Sequence, residues 1–529
     1  MTETQAYAKR WWMLAVLVLS VMVVSLDNTI LNVALPRIQE TLGASQSQQA
    51  WIVDSYLLVF AGSLLTFGAM GDRFGRRRML SFGLLVFGLG SLVSTFATSP
   101  AQLIFTRASM GIGGAAIMPA TLAIITRVFP PEERGRAIGL WAGVTGLSTG
   151  AGPLAGGVLL EHFWWGSVFL VNVPVVAIAL VLGRFLVPES KSEVAAKFDP
   201  LGVLLSIAGL TAFVYGIIKG GELGTIADAR VIAPVLLGIV ILAQFAHHEL
   251  HSSQPMIDLR IFKIRAFSAA SISVSLIFFA LMGSTFFLTF YLQFVRERSP
   301  LMTGLWLLPM AVPMTMFAPR SAKLVARFGT RPVATSGMML VAFAFLGYQF
   351  VGTQSALWLV AGILFLIGSG MAVAMAPATT AIMNSLPLDR AGAGSAINNT
   401  TRQVGGALGV AILGSILAGE YRHYVAPVVK ALPINVQHRA GESIGATLSA
   451  LHAAGPSAAG LIEPAKQAFV DAFHVASIGS SLVAFIGALV LLRWLPHTSA
   501  KAEAAQVAAL PSQRLHLNDL ANAQALAEV

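Results

Sequence analysis

Along this chain long apolar blocks alternate with short polar, often basic, breaks. Trp11–Val33, Met79–Ala97, Phe267–Leu292 and Val475–Leu492 are four of these blocks. A bilayer core about 30 Å thick asks for about 20 apolar residues per helix, and the blocks have that length. Their apolar residues run continuously, whereas barrel strands would show about 10-residue alternating segments. The pattern therefore predicts an all-α integral membrane protein with about fourteen spans. The expected centres fall near residues 22, 59, 88, 114, 148, 176, 209, 238, 280, 311, 341, 370, 409 and 484.

The breaks predict the orientation. With the N-terminus inside, the loops on that side hold Arg73, Arg76, Arg77, Arg78, Arg127, Arg134, Arg136, Arg260, Lys263, Arg265, Lys323, Arg327 and Arg331. The short opposite loops hold far fewer: Arg37, Lys219, Arg230, Arg296 and Arg298. Such a bias sets cytoplasmic termini. The first apolar segment is too long for a signal peptide and is expected to stay as the first helix. Three segments read as lying outside the membrane. These are the linker Pro188–Pro200, a long outer loop Glu420–Phe473 with room for an amphipathic hairpin, and an Ala-rich tail from 497 to 529, expected to be mobile.

Composition agrees with the pattern. The chain is 56% hydrophobic and 11% charged, with a mean hydropathy of +0.75. Soluble domains carry roughly 25% charged residues, so a water-exposed surface cannot be built from this inventory. The net charge of +10 then belongs to loops facing the inner leaflet rather than to nucleic-acid binding. With no cysteine in the chain, disulfides and thiolate metal sites are excluded.

A faint repeat divides the chain. Arg73-Phe74-Gly75, within Gly68–Arg78, recurs as Arg327-Phe328-Gly329, with Ala326 standing where the first copy has Asp72. Repeated halves are common in secondary transporters, whose substrate site lies between them. The spans then group as six, two extra and six. An N-terminal bundle covers 11–187, the linker and accessory spans 188–250, and a C-terminal bundle 251–496.

Five stretches carry a family resemblance: Leu26–Pro36, Gly68–Arg78, Leu103–Gly114, Gly152–Gly157 and Gly394–Gly414. In this order and spacing the chain resembles the major facilitator superfamily, and within it the fourteen-helix drug:H+ antiporters that include quaternary-ammonium exporters. The resemblance covers roughly residues 11–420. Met110 stands where the fourth-helix motif usually has glutamine, and Ser148 where the antiporter motif often has glycine. Both departures bear on substrate range rather than on fold. The resemblance implies a bacterial inner-membrane protein in which Gly68, Asp72, Arg73, Gly75 and Arg76 form a conformational loop. It also implies that Gly152, Pro153, Gly156 and Gly157, with Gly150 before them, form the antiporter motif. The small residues of that motif permit close helix approach.

Ionisable residues inside a bilayer are costly and usually functional. Asp27, Asp54 and Arg107 are the three within the expected spans. At about 1.5 Å per residue, Asp27 and Asp54 lie at similar depth in the outer half. Desolvation favours the neutral form of a carboxylate, so a proton and a lipophilic cation can compete for one site. Asp27 is expected to be the main coupling carboxylate and Asp54 a second one, useful for dications. Arg107 is expected to supply a fixed charge that responds to their protonation. For each, capping or a structural bond to the backbone is the competing role. Trp51, Tyr56, Phe286, Phe287, Tyr291, Trp306 and Met310 qualify as pocket residues by type, since aromatic faces attract cations and methionine adapts to varied ligands. Each alone reads more readily as a lipid-facing or packing residue.

No GxxxxGK[ST] or HExxH occurs in the chain, so an ATP-driven pump or an enzyme is not expected. His247, His248 and His251 read as a solvated loop cluster rather than metal ligands. The expected function is proton-coupled export of lipophilic, mainly cationic drugs by a monomer, without cofactor. Export of an endogenous antibiotic or lipid, proton-coupled uptake and a receptor role remain as alternatives.

Overall fold

The computed structural model describes residues 9–191, 199–252, 259–384 and 391–495, and everything below concerns those residues. The expected tail 497–529 and much of the linker lie outside them. The described chain is helical. In order, α1 spans Arg10–Leu42, α2 Gln46–Phe74, α3 Arg76–Thr95, α4 Pro100–Val128, α5 Pro131–His162 and α6 Ser167–Leu186. α7 spans Pro200–Leu223, α8 Ala229–His251, α9 Arg265–Val295, α10 Pro300–Phe328, α11 Thr330–Phe350, α12 Leu357–Asn384 and α13 Ala391–Lys430. Two short helices follow, α14 Ile434–Ala440 and α15 Ile444–Ala453, before α16 at Ile462–Trp494. Each of the fourteen expected centres falls inside a long helix.

Eleven helices among the described residues are long and apolar enough to cross a membrane, and twelve if the bent α2 counts as one span. The long helices α5 and α10 are not among them. Local chemistry sets the breaks. Ser45 and Gln48 form a reciprocal capping box at the start of α2. Ser99–Pro100 and Ser299–Pro300 start α4 and α10 alike, with a hydroxyl cap followed by proline at the first helical position.

Packing separates the helices into two bundles. α1 lies against α5 and α6, α2 against α4, and α3 against α4 and α6. In the other bundle α9 lies against α12, α13 and α16, α10 against α12, and α11 against α12 and α16. The bundles meet along two main seams, α5 with α10 and α2 with α13. Outside them α7 packs on α2 and α13, while α8 packs chiefly on α7 and is largely exposed.

The α5–α10 seam is close at the end away from the Arg73–Arg78 loop, that loop marking what is called here the basic end. A Cβ on Gly157 would stand 2.8 Å from the Pro300 carbonyl, and one on Gly304 2.3 Å from that of Pro153. Only glycine fits at such separations. Between α13 and α16 the chain makes a helical hairpin over the same end, where Gln39 of α1 bonds Ser443 and Tyr421 bonds Thr447 at 2.7 Å. The helices run well into the segment expected as loop. Polar residues there stay helical because they find partners, as Lys466 does with Glu297 at 2.5 Å.

Candidate functional site

Five helices of the first bundle converge on one buried polar cluster. Asp27 of α1 is fully buried and ion-pairs through Oδ2 with Arg107 of α4. Its Oδ1 accepts from Asn172 Nδ2 of α6 at 3.0 Å, and the same amide lies 3.2 Å from Ser91 Oγ of α3. Arg107 also donates through Nε to the Ile52 carbonyl of α2 at 3.2 Å, and its guanidinium lies 4.4 Å from the Tyr56 ring centroid. The carboxylate thus has a charged partner, an amide partner and an aromatic floor, as a buried charge requires.

Asp54, about half a turn from Ile52 on α2, is equally buried, yet neither of its carboxylate oxygens has a hydrogen-bond partner. The two acids therefore share a depth and differ in state. Asp27 is fully engaged, whereas Asp54 is bare. An unpartnered buried acid is costly, and such exceptions call for an explanation in function.

The glycine-rich stretch Gly152–Gly157 faces two neighbours at once. A Cβ on Gly152 would stand 1.9 Å from Thr29 Oγ1, and one on Gly156 2.8 Å from Ile30 Cγ1, both on α1 next to Asp27. Gly157 faces the α10 backbone instead. Pro153 is buried within α5 and its carbonyl abuts Gly304. The motif therefore joins the Asp27 helix to the seam between the bundles.

The basic loop is held in place within the first bundle. Asp72 and Arg76 pair at 2.8 Å, and Arg76 reaches the Ala123 carbonyl of α4 at 3.2 Å. Glu189, just after α6, accepts from the Arg77 amide at 3.1 Å and lies under 4 Å from the guanidinium groups of Arg77 and Arg78. Gly75 has φ +121°, and a Cβ there would meet Glu189 at 2.6 Å. Its counterpart Gly329 has φ +87°, and Arg73 over Phe74 is matched by Arg327 over Phe328. The sequence repeat is a repeat of conformation.

The expected pocket residues scatter. Tyr56 is inside the first bundle beneath Arg107, and Trp51 is half-buried against Tyr215 of α7. Phe287 and Tyr291 pack on Phe473 inside the second bundle, with Tyr291 donating to the Gly352 carbonyl at 2.8 Å. Phe286 borders a cavity of about 620 Å3 near the hairpin end, shared with Glu222, Arg422 and Glu442. Trp306 and Met310 are half-buried on α10. His248 bonds Asp199 at 2.8 Å, and His247 stacks on His251. Asn172 and Glu189 are the site residues that sequence reasoning passed over. Asn172 carried a signal, being an amide inside the apolar run Phe169–Pro174; Glu189 carried none.

A two-bundle, all-helical membrane fold with repeated elements is the build of membrane transporters. Residues 17–410 match the Major Facilitator Superfamily, and the chain belongs to that family. It is a multi-pass membrane transporter, not an enzyme. It is 35% identical to the methyl viologen resistance protein SmvA of Salmonella typhimurium, across 90% of this chain and 96% of that one. It is 34% identical to the multidrug efflux pump LfrA of Mycolicibacterium smegmatis, across 93% and 97%. Among solved structures, a bacterial homologue of the human lysosomal transporter Spinster, inward-facing and unoccupied, superposes with a TM-score of 0.64 at 17% identity. That likeness covers 92% of this chain and 98% of the other.

Proposed function

We propose that this chain is a proton-coupled antiporter of the bacterial inner membrane that exports lipophilic, mainly cationic drugs by alternating access. The observation that carries the reading is the pair of buried acids in unlike states. Asp54, with both oxygens bare, can take up either a proton or a substrate cation but not both, and that exclusion is antiport in its simplest form. Asp27, matched by Arg107 and Asn172, releases Arg107 when it is protonated and so passes the state of the site to α4. Methyl viologen resistance in SmvA and multidrug efflux in LfrA lend weight to the substrate class.

The remaining parts fit this reading. With α5 and α10 counted as spans, the chain has fourteen in a six-two-six order, the basic end faces the cytoplasm, and both termini lie there. The close seam at the far end then corresponds to an inward-facing state. Trp51, Tyr56, Trp306 and Met310 remain the candidate aromatic and methionine contacts for substrate. Gly68, Asp72, Arg73, Gly75 and Arg76 act as the conformational loop, steadied by Glu189.

Energetics make a second acid useful. One charge across 100 mV is worth about 2.3 kcal/mol, and one pH unit about 1.36 kcal/mol. Exchange of one proton for a monocation is electroneutral, so only the pH gradient drives it; a dication needs more protons. The test is drug-evoked proton release from inside-out vesicles, with a monovalent and a divalent lipophilic cation. Release that is present in the wild type, lost in Asp27→Asn and reduced most for the dication in Asp54→Asn supports the reading. Accumulation of either cation without proton movement overturns the coupling.

A further inference from the structure

Arg402 of α13 is a cation with no counter-charge. Among the described residues it makes no ion pair and no hydrogen bond; its one specific contact is the face of Phe278 on α9, with the guanidinium carbon 4.4 Å from the ring centroid. Its position is deep. Gly406, one turn along α13, lies within 3.7 Å of Leu57 on α2 by the reach of a Cβ. Arg402 is eleven residues from Ala391, where α13 begins at the basic end. At about 1.5 Å per residue this sets it roughly 16 Å from that end, too far for its side chain to snorkel to an aqueous interface. Gly406 shares its face and points at α2 and Met282 of α9, so Arg402 stands at the seam between the bundles, where transporters of this build bind substrate.

Its surroundings lack acid and hold amides. α9 contains no Asp or Glu, and α13 none before Glu420. Asp54 lies about seven residues, roughly 10 Å, farther from the basic end. One turn below Arg402, on the same helical face, are Asn398 and Asn399. Asn398 is nine-tenths buried, and its Oδ1 has no partner. Rotating that amide by half a turn presents its NH2 group instead.

We propose that Arg402, with Asn398 and Asn399, is a recognition site for a carboxylate or similar oxyanion carried by a lipophilic substrate. Stacking on Phe278 fixes the guanidinium plane and leaves its N–H edge free for the bidentate geometry that oxyanions favour. A zwitterion can then set its anionic group on Arg402 and its cationic group toward Asp54. The site rests on the export reading, and it widens the substrate class from cations to zwitterions and acids.

The test uses two xanthylium dyes that differ in one group: rhodamine 6G, an ethyl ester, and its free acid. Binding to purified full-length protein in nanodiscs is read by fluorescence anisotropy, and efflux is read separately in cells. The wild type should bind the free acid more tightly than the ester. Arg402→Gln should shrink that preference roughly ten- to a hundredfold, the size of one hydrogen-bonded charge contact. Arg402→Lys, which keeps the charge and loses the fork, should restore part of it. A merely structural role would weaken both dyes alike. No preference for the free acid in the wild type, or a preference that survives Arg402→Gln, overturns the proposal. An intact binding preference without proton-linked efflux would fail the export reading alone.

Discussion

Replacing Asp27 with asparagine isolates the charge pair at the centre of the first bundle. The change keeps the shape and the contact with Asn172 but removes the counter-charge of Arg107, whose side chain is 2% exposed. Removing one partner of a buried pair costs about 3–5 kcal/mol, because the other charge is stranded. Here the Ile52 carbonyl and the Tyr56 ring remain as partners, so the lower end applies, about 3 kcal/mol or roughly two decades in the folding equilibrium. Arg107→Gln should cost a similar amount by stranding Asp27. The double variant should cost much less than the sum, with a coupling of about 2–3 kcal/mol. Unfolding of the purified protein in one detergent, at neutral pH, gives all four corners of the cycle. Additivity within about 0.5 kcal/mol would refute the pair as an energetic unit and remove its role in sensing protonation.

Three further outcomes follow from named contacts. Asp54→Asn should leave folding stability unchanged or raise it, since an unpartnered buried acid costs energy, while lowering proton-coupled export of a dication; loss of stability would show that Asp54 has a structural partner. Gly157→Val should strain the far-end seam by about 1–3 kcal/mol, because the new Cβ would lie 2.6 Å from Leu301 Cα. The chain has no cysteine, so a single Gln39→Cys reports opening there through faster thiol labelling; unaltered labelling would sink the argument. Last, the hydrogen bond from Lys466 holds the Glu297 carboxyl below its ordinary range, so this contact stabilises the fold above the usual carboxylate pKa and is lost as pH falls through the depressed one. Glu297 is largely exposed, so the effect should stay under about 1 kcal/mol; a Lys466→Met variant with an identical acid-unfolding curve would show that it contributes nothing.

What could be read from the chain beforehand follows from which interactions are local. Span positions were legible because burial in lipid demands a run of apolar residues in one helix. The close approach of α5 and α10 was less legible, because glycine at 157 and 304 meets the neighbouring backbone only once the two bundles are set together. Asp27, Asp54 and Arg107 were legible as charges in apolar surroundings. Their unlike states were not, because pairing joins residues 80 positions apart and depends on how α1 and α4 are set side by side. Glu189 was illegible for the same reason: nothing in the string Val187–Lys191 marks an acid that will brace a loop more than a hundred residues earlier.

The two halves repeat a backbone but divide the chemistry. Gly75 and Gly329 turn alike, and each is preceded by an arginine lying over a phenylalanine. Yet Asp72 has no counterpart at Ala326, and the engaged pair Asp27–Arg107 lies wholly in the first bundle. The second bundle instead has a core of packed aromatics, with Phe287, Tyr291 and Tyr348 all set against Phe473. Polar contacts of the second bundle, such as Gln349 with Ser477 and His474 with the Val351 carbonyl, join neutral partners, whereas the first has a chain of them that starts at an acid, from Asp27 through Asn172 to Ser91. Protonation should therefore alter packing chiefly within the first bundle, and α5, which touches both Asp27's helix and α10 through adjacent glycines, is the element that carries the change across the seam. Asp27→Asn should accordingly alter thiol labelling at Gln39→Cys in the same direction as Gly157→Val; opposite shifts would separate the charge cluster from the seam.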